Sequence, residues 1–144
     1  MANVQAICTS FEREWFQAIH DFSVDVIKAA LYETTGSLGY GTPDYSTTAE
    51  VSGMGYSAGG VIVTTAVPVA SAGQITYWSP SADIVFPGMV LATPFDAVLL
   101  YNSSKANRAI GVWTFAATTL NGNPLHLYIP SITSVAALIR VSPL

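Results

Sequence analysis

Gly55-Tyr56-Ser57-Ala58-Gly59 has the G-x-S-x-G spacing in which a serine on a tight turn raises its hydroxyl for nucleophilic attack. Asp83 and Asp96 follow it and His126 comes after both, so nucleophile, acid and base stand in the order used by α/β-hydrolases. That chemistry needs a buried strand before Ser57 and a helix after it, whose first N–H groups help to form an oxyanion hole. The flanking residues supply neither. Glu50-Val51-Ser52-Gly53-Met54 is too polar and Gly-rich for a central strand, and Gly60-Val61-Ile62-Val63-Thr64-Thr65 is β-branched and a poor helix. The stretch therefore reads as a Gly-rich loop running into a strand, with glycine supplying backbone conformations of positive φ. No enzyme activity is expected.

The other reactive side chains give no second site. Cys8 is the only cysteine, so an intrachain disulfide is impossible, and with no cationic neighbour in sequence it reads as a small buried hydrophobe. Neither His20 nor His126 has a Cys, Glu or second His at metal-ligand spacing, and no metal or cofactor is expected. His20 falls near a helix end, where an imidazolium would suit the macrodipole. His126, between Leu125 and Leu127, is expected to face away from them on a strand. The carboxylates read as isolated. The residues of the Gly/Ser/Thr loops and of the polar turn after residue 101 remain as candidate contacts: Tyr40, Tyr45, Tyr56, Asn102, Lys105 and Arg108.

One helix is expected, over residues 9–21. Thr9-Ser10-Phe11-Glu12 reads as a capping box, and Phe11, Trp15, Ala18, Ile19 and Phe22 form an apolar stripe at helical spacing. Glu12, Arg13, Glu14 and Gln17 are then placed on the outer face. If the stripe packs beneath a sheet, Trp15→Ala should cost about 3–5 kcal/mol. The rest of the chain reads as strands: Val24–Glu33, Val61–Val69 (Pro68 arguing for an edge or bulge), Gln74–Trp78, Asp83–Phe86, Asp96–Tyr101, Ala109–Ala116, Leu125–Ile129 and Val135–Val141. Asp25 and Lys28 are expected outward, Thr35–Ser46 is expected as a flexible loop outside the core, and Asn121-Gly122 as a tight turn. About eight short strands and no second helix point to a single all-β domain over 1–144, a β-sandwich or jelly roll with one N-terminal helix.

Charge separates the function classes. Only 10% of the 144 residues are Asp, Glu, Lys or Arg, against about 25% in an ordinary soluble domain. Residues 51–82 carry no formal charge, and 109–139 carry only His126. The five cations are scattered and the net charge is −4, so nothing favours nucleic acid. Mean hydropathy is +0.44, yet Thr, Ser, Gly and Pro interrupt every apolar run before about 20 residues, and the first residues show no cationic segment of a secretory signal. No membrane partner is expected. A surface so poor in ions is expected to be covered by other protein.

Several segments carry a resemblance. The opening Met1-Ala2-Asn3-Val4-Gln5-Ala6-Ile7-Cys8-Thr9-Ser10-Phe11, then Ala30-Leu31-Tyr32, Tyr45-Ser46, Glu50-Val51-Ser52-Gly53-Met54-Gly55-Tyr56-Ser57-Ala58-Gly59-Gly60 and Leu100-Tyr101-Asn102-Ser103-Ser104 together resemble small structural proteins of tailed bacteriophages. The all-β reading is similar to phage cement (decoration) proteins. The resemblance implies a virion protein on the outer surface of the capsid, with the major capsid protein and its own copies, as a dimer or trimer, for partners. A tail-fibre or baseplate component that binds a receptor or glycan is the alternative it leaves open.

Overall fold

In a computed structural model, residues 2–71, 75–130, 133 and 136–142 are described. The β-branched segments form ten strands among these residues: β1 (Ala6–Ile7), β2 (Ile27–Glu33), β3 (Val61–Ile62), β4 (Val69–Ser71), β5 (Ile75–Trp78), β6 (Ile84–Phe86), β7 (Val90–Asn102), β8 (Arg108–Asn121), β9 (Leu125–Leu127) and β10 (Ile139–Val141). They make three antiparallel sheets, ordered β1-β8-β7-β2-β3, β10-β5-β4 and β6-β9. The protein is all-β with one short helix, α1 (Thr9–Phe16). The expected beginnings of two strands, at Gln74 and Val135, lie outside the described residues.

The centre of the large sheet explains the continuous apolar runs. Ile27 and Ala29–Tyr32 of β2 are buried, as are Val98–Asn102 of β7, so both faces of this pair are covered. That burial replaces the alternation expected of a one-sided sheet. Phe11, Phe22, Trp78, Ile84, Phe86 and Ile139 bring the helix and the two smaller sheets into the same core. Phe22 stacks on Trp78 with ring centroids 4.4 Å apart.

Several local expectations change. β7 begins six residues earlier than Asp96 because a register shift between Leu91 and Phe95 lets the strand pass Pro94. The strand expected over 61–69 breaks into β3 and β4. After Val63, which still donates to the Ile27 carbonyl, the chain's carbonyls go elsewhere: Ala66 accepts from Trp78 Nε1 at 2.8 Å and Thr64 from the Ser81 N–H at 2.9 Å. Loop 35–46 is not outside the core throughout, since Leu38 and Tyr45 pack against it.

The helix also differs at both ends. Its N-cap is Cys8, with no side-chain capping bond, and Thr9 donates its N–H to the Tyr40 carbonyl at 2.8 Å. A loop carbonyl thus replaces the expected capping box. At the other end Ala18 adopts φ 54°, the Ala18 N–H donates to Trp15 O and the Ile19 N–H to Glu14 O. This is a Schellman turn made with alanine where glycine is usual, so nothing in composition marks the helix end. The reversal leaves Trp15 41% exposed and Phe16 95% exposed, while Phe11 is buried.

The large truncation cost therefore falls on Phe11 and not on Trp15. Phe11→Ala is expected to destabilise the fold by about 3–5 kcal/mol and Trp15→Ala by clearly less. Urea unfolding followed by circular dichroism compares the two, and equal losses would contradict this packing.

Candidate functional site: two buried carboxylate hubs and the loops they hold

Ser57 is exposed on its loop, and its backbone carbonyl accepts from the Gly60 N–H. His126 is exposed on β9 beside Tyr128, Asp83 accepts from the Ile129 N–H, and Asp96 accepts from Asn3 Nδ2. Among the described residues no hydrogen bond joins Ser57 to His126 or His126 to either aspartate. The elbow geometry is absent as well, because Ser57 lies between two irregular segments and a strand follows it. Gly60, at φ 69°, is required by packing: a Cβ there would stand 1.7 Å from the Ala29 carbonyl oxygen. This Gly-rich stretch is a loop closing onto β2.

Glu50 holds that loop in place. The buried carboxylate accepts from Tyr45 Oη at 2.6 Å, from Tyr56 Oη at 2.7 Å and from the Gly59 N–H at 2.7 Å. Tyr56 Oη also accepts from the Leu31 N–H, and Tyr101 Oη donates to Gly59 O at 2.8 Å. Tyr45 stacks on Tyr101 with centroids 4.6 Å apart. Three neutral donors stabilise one desolvated charge, an arrangement worth having only while all three are present. Burial first, then the Glu50 carboxylate beside them, pushes the Tyr45 and Tyr56 phenols above the usual range; burial does the same to Tyr32 and Tyr101.

A second hub joins α1 to the β7–β8 turn. Glu14, expected on the outer face, is buried and pairs with Arg108, and its other oxygen lies 2.9 Å from His20 Nε2. Asn102 is fully buried between them: Nδ2 reaches Asp25 Oδ2 at 2.7 Å and His20 Nδ1 at 3.0 Å, while Oδ1 accepts from the Ser104 N–H. Those bonds fix the amide orientation. His20 Nδ1 must then accept, Nε2 carries the proton that goes to Glu14, and the ring is neutral in that tautomer. The imidazolium expected at a helix end is replaced by a neutral bridge. Asp25, expected outward, is buried in the same network, with Lys105 Nζ at 3.6 Å. Burial would raise its carboxyl, but the Asp21 N–H, Asn102 and Lys105 hold it below the ordinary carboxylate range.

Five of the six candidate contact residues are thus engaged within the chain. Tyr45 and Tyr56 serve Glu50, Asn102 and Lys105 serve Asp25, and Arg108 serves Glu14. Tyr40 alone among them stands free, 72% exposed, with no side-chain hydrogen bond to a described residue. Cys8 is buried and its thiol is pushed up to about 12, chiefly by burial, so it is not a nucleophile at neutral pH. Sequence reasoning missed Glu14, Asp25 and Glu50, whose partners lie up to 94 residues away. No group of three or more His, Cys, Asp and Glu that could hold a metal occurs among the described residues, and no helix there is long and apolar enough to cross a membrane.

The hubs make distinct predictions. Glu50→Ala is expected to cost at least about 3 kcal/mol because three donors lose their acceptor, and Glu50→Gln less because the amide keeps an acceptor for two of them; chemical denaturation ranks the pair. Raised phenol values mean that the stabilisation is complete below about pH 10, the ordinary tyrosine value, and is lost as pH rises through the folded values. Absorbance at 295 nm should show that Tyr32, Tyr45, Tyr56 and Tyr101 ionise only as circular dichroism reports unfolding. Nitrogen-15 NMR should find His20 Nδ1 unprotonated and Nε2 protonated at neutral pH; the reverse tautomer would contradict the assigned network. No protein-family model matches the chain, and neither the curated proteins nor the solved structures contain a match to it.

Proposed function

We propose that this protein is a structural component of a tailed-phage virion: a cement protein on the outer surface of the head that binds across major capsid protein subunits. The observation that supports this reading is the distribution of charge. The chain has few ions, and the fold withdraws several of them: Glu14, Asp25 and Glu50 are inside, with Arg108 and Lys105 turned toward two of them. Exposed instead are Phe16, Val24, Met54, Ile62, Val67 and Tyr128.

Interface centres are depleted in charge and enriched in aromatic residues and methionine, so this surface suits burial against protein. Few ions need desolvation when it is covered. Many copies held on a lattice add their modest single-site affinities, and a dimer or trimer on a symmetry axis is the natural unit. The sequence resemblance to phage structural proteins points the same way. The one nucleophile motif in the sequence, at Ser57, has no hydrogen bond to His126 among the described residues.

Locating the protein in a purified particle by antibody labelling and electron microscopy tests the proposal. Copies spread over the head support it; copies only at the tail, or none in the particle, overturn it. Phe16→Asp and Ile62→Lys, both at exposed positions, are expected to leave the melting temperature nearly unchanged. At least one of them should weaken binding to heads lacking the protein by about tenfold or more, as loss of an interface anchor does.

A further inference from the structure

A cleft lies on loop 35–49, beside the segment that carries Tyr45 and Glu50. It has a volume of 520 Å³, within the range of about 300–1,000 Å³ typical of small-molecule sites, and its lining includes Val4, Ser37, Leu38, Tyr40, Thr42 and Asp44. A loop so rich in glycine would be mobile alone, but neighbouring elements clamp this one at successive points. Asn3 Nδ2 donates to Glu33 O and Asp96 Oδ1, and Asn3 Oδ1 accepts from the Leu38 N–H. Val4 N donates to Leu38 O, Thr9 N to Tyr40 O, Ala109 N to Pro43 O and Tyr45 N to Asn107 O. Tyr32 Oη donates to Ser46 O at 2.5 Å. Gly36 is part of the clamp, since a Cβ there would lie 2.4 Å from Asn3 Oδ1.

These bonds spend the loop's backbone groups inside the fold. The side-chain groups left over are the ones that line the cleft: the Ser37 hydroxyl, the Tyr40 ring and phenol and the Asp44 carboxylate make no side-chain hydrogen bond to a described residue. Their chemistry narrows the ligand. No Lys or Arg lines the cleft and one carboxylate does, which disfavours anions. A single carboxylate is also far from the six to eight oxygen ligands that calcium takes. Its walls are partly apolar, from Val4, Leu38, Pro43 and Ala49, and partly hydroxylic, from Ser37, Ser46 and Thr48, so a ligand with both apolar and hydroxyl faces suits them better than a wholly hydrophobic one. A polyhydroxylated ring fits all three groups. Its hydroxyls donate to a charged acceptor and to Ser37, and its electropositive C–H face packs against the negative face of Tyr40.

We propose that this preorganised cleft binds a neutral saccharide through Asp44, Tyr40 and Ser37. The inference does not depend on where the protein sits in a particle. Rigidity of the loop lowers the ordering cost that binding would otherwise carry.

Saturation-transfer NMR on the full chain tests it. The neutral probes are glucose, galactose, mannose, N-acetylglucosamine and their β-linked disaccharides; glucosamine and sialic acid serve as the cationic and anionic comparisons. At least one neutral sugar should receive transfer. Asp44→Asn and Tyr40→Ala, both at exposed positions and checked for an unchanged melting temperature, should each weaken it by about tenfold, the loss expected for a charge-assisted hydrogen bond or a ring platform. No transfer to any neutral sugar, transfer indifferent to both substitutions, or preference for a charged comparison would overturn the proposal. Failure here leaves the capsid assignment standing, because that is read from the location of the protein in the particle.

Discussion

A carboxylate taken out of water is tolerated only where donors replace the lost hydration, and this fold does so at Glu14, Asp25 and Glu50. Each is met by groups from distant parts of the chain. Glu50 gathers Tyr45, Tyr56 and Gly59, and through Gly59 it reaches Tyr101 on the central hairpin. Glu14 and Asp25 meet through His20 and Asn102, tying the helix and the segment after it to the β7–β8 turn. The hydrophobic core holds the sheets together. The carboxylate hubs decide where the irregular segments lie on them.

That division of labour accounts for a long chain of loops without disorder. Residues 34–60 contain no strand or helix beyond isolated bridges, yet they are fixed by Glu50 on one side and by Asn3, Tyr32 and the helix N-terminus on the other. The same device has a consequence at the surface. Every ion used internally is one fewer outside, where Glu12, Arg13, Asp21, Asp44, Asp83 and Arg140 stand exposed among apolar and hydroxylic side chains. Composition sets how few charges there are; folding then makes the exterior poorer still.

The all-β class, the single N-terminal helix and the position of most strands could be read from the residues, because β-branched runs and turn formers act locally. The outward His126 and the buried Cys8 were legible for the same reason. The helix end was not, since Ala18 takes a left-handed conformation that its side chain does not advertise. The strand over 61–69 was overread because Trp78 and Ser81, from beyond it, capture carbonyls that a ladder would have used. Glu14 and Asp25 looked solvated because a sequence stripe shows which face is apolar, not which charge will meet an arginine or an amide from the far hairpin. Tyr45, Tyr56, Asn102, Lys105 and Arg108 stood out as candidate contacts because they are polar residues of loops, and their side chains are bonded within the chain.

The central claim is that this ion-poor exterior is an interface. Hydroxyl-radical footprinting of the protein, free and in an assembled particle, measures that directly, because Phe16, Met54 and Tyr128 are both exposed and readily oxidised. The account predicts strong labelling at these residues in the free protein and protection of at least Phe16 or Met54 in the particle. Equal labelling of all three in the two states would contradict it.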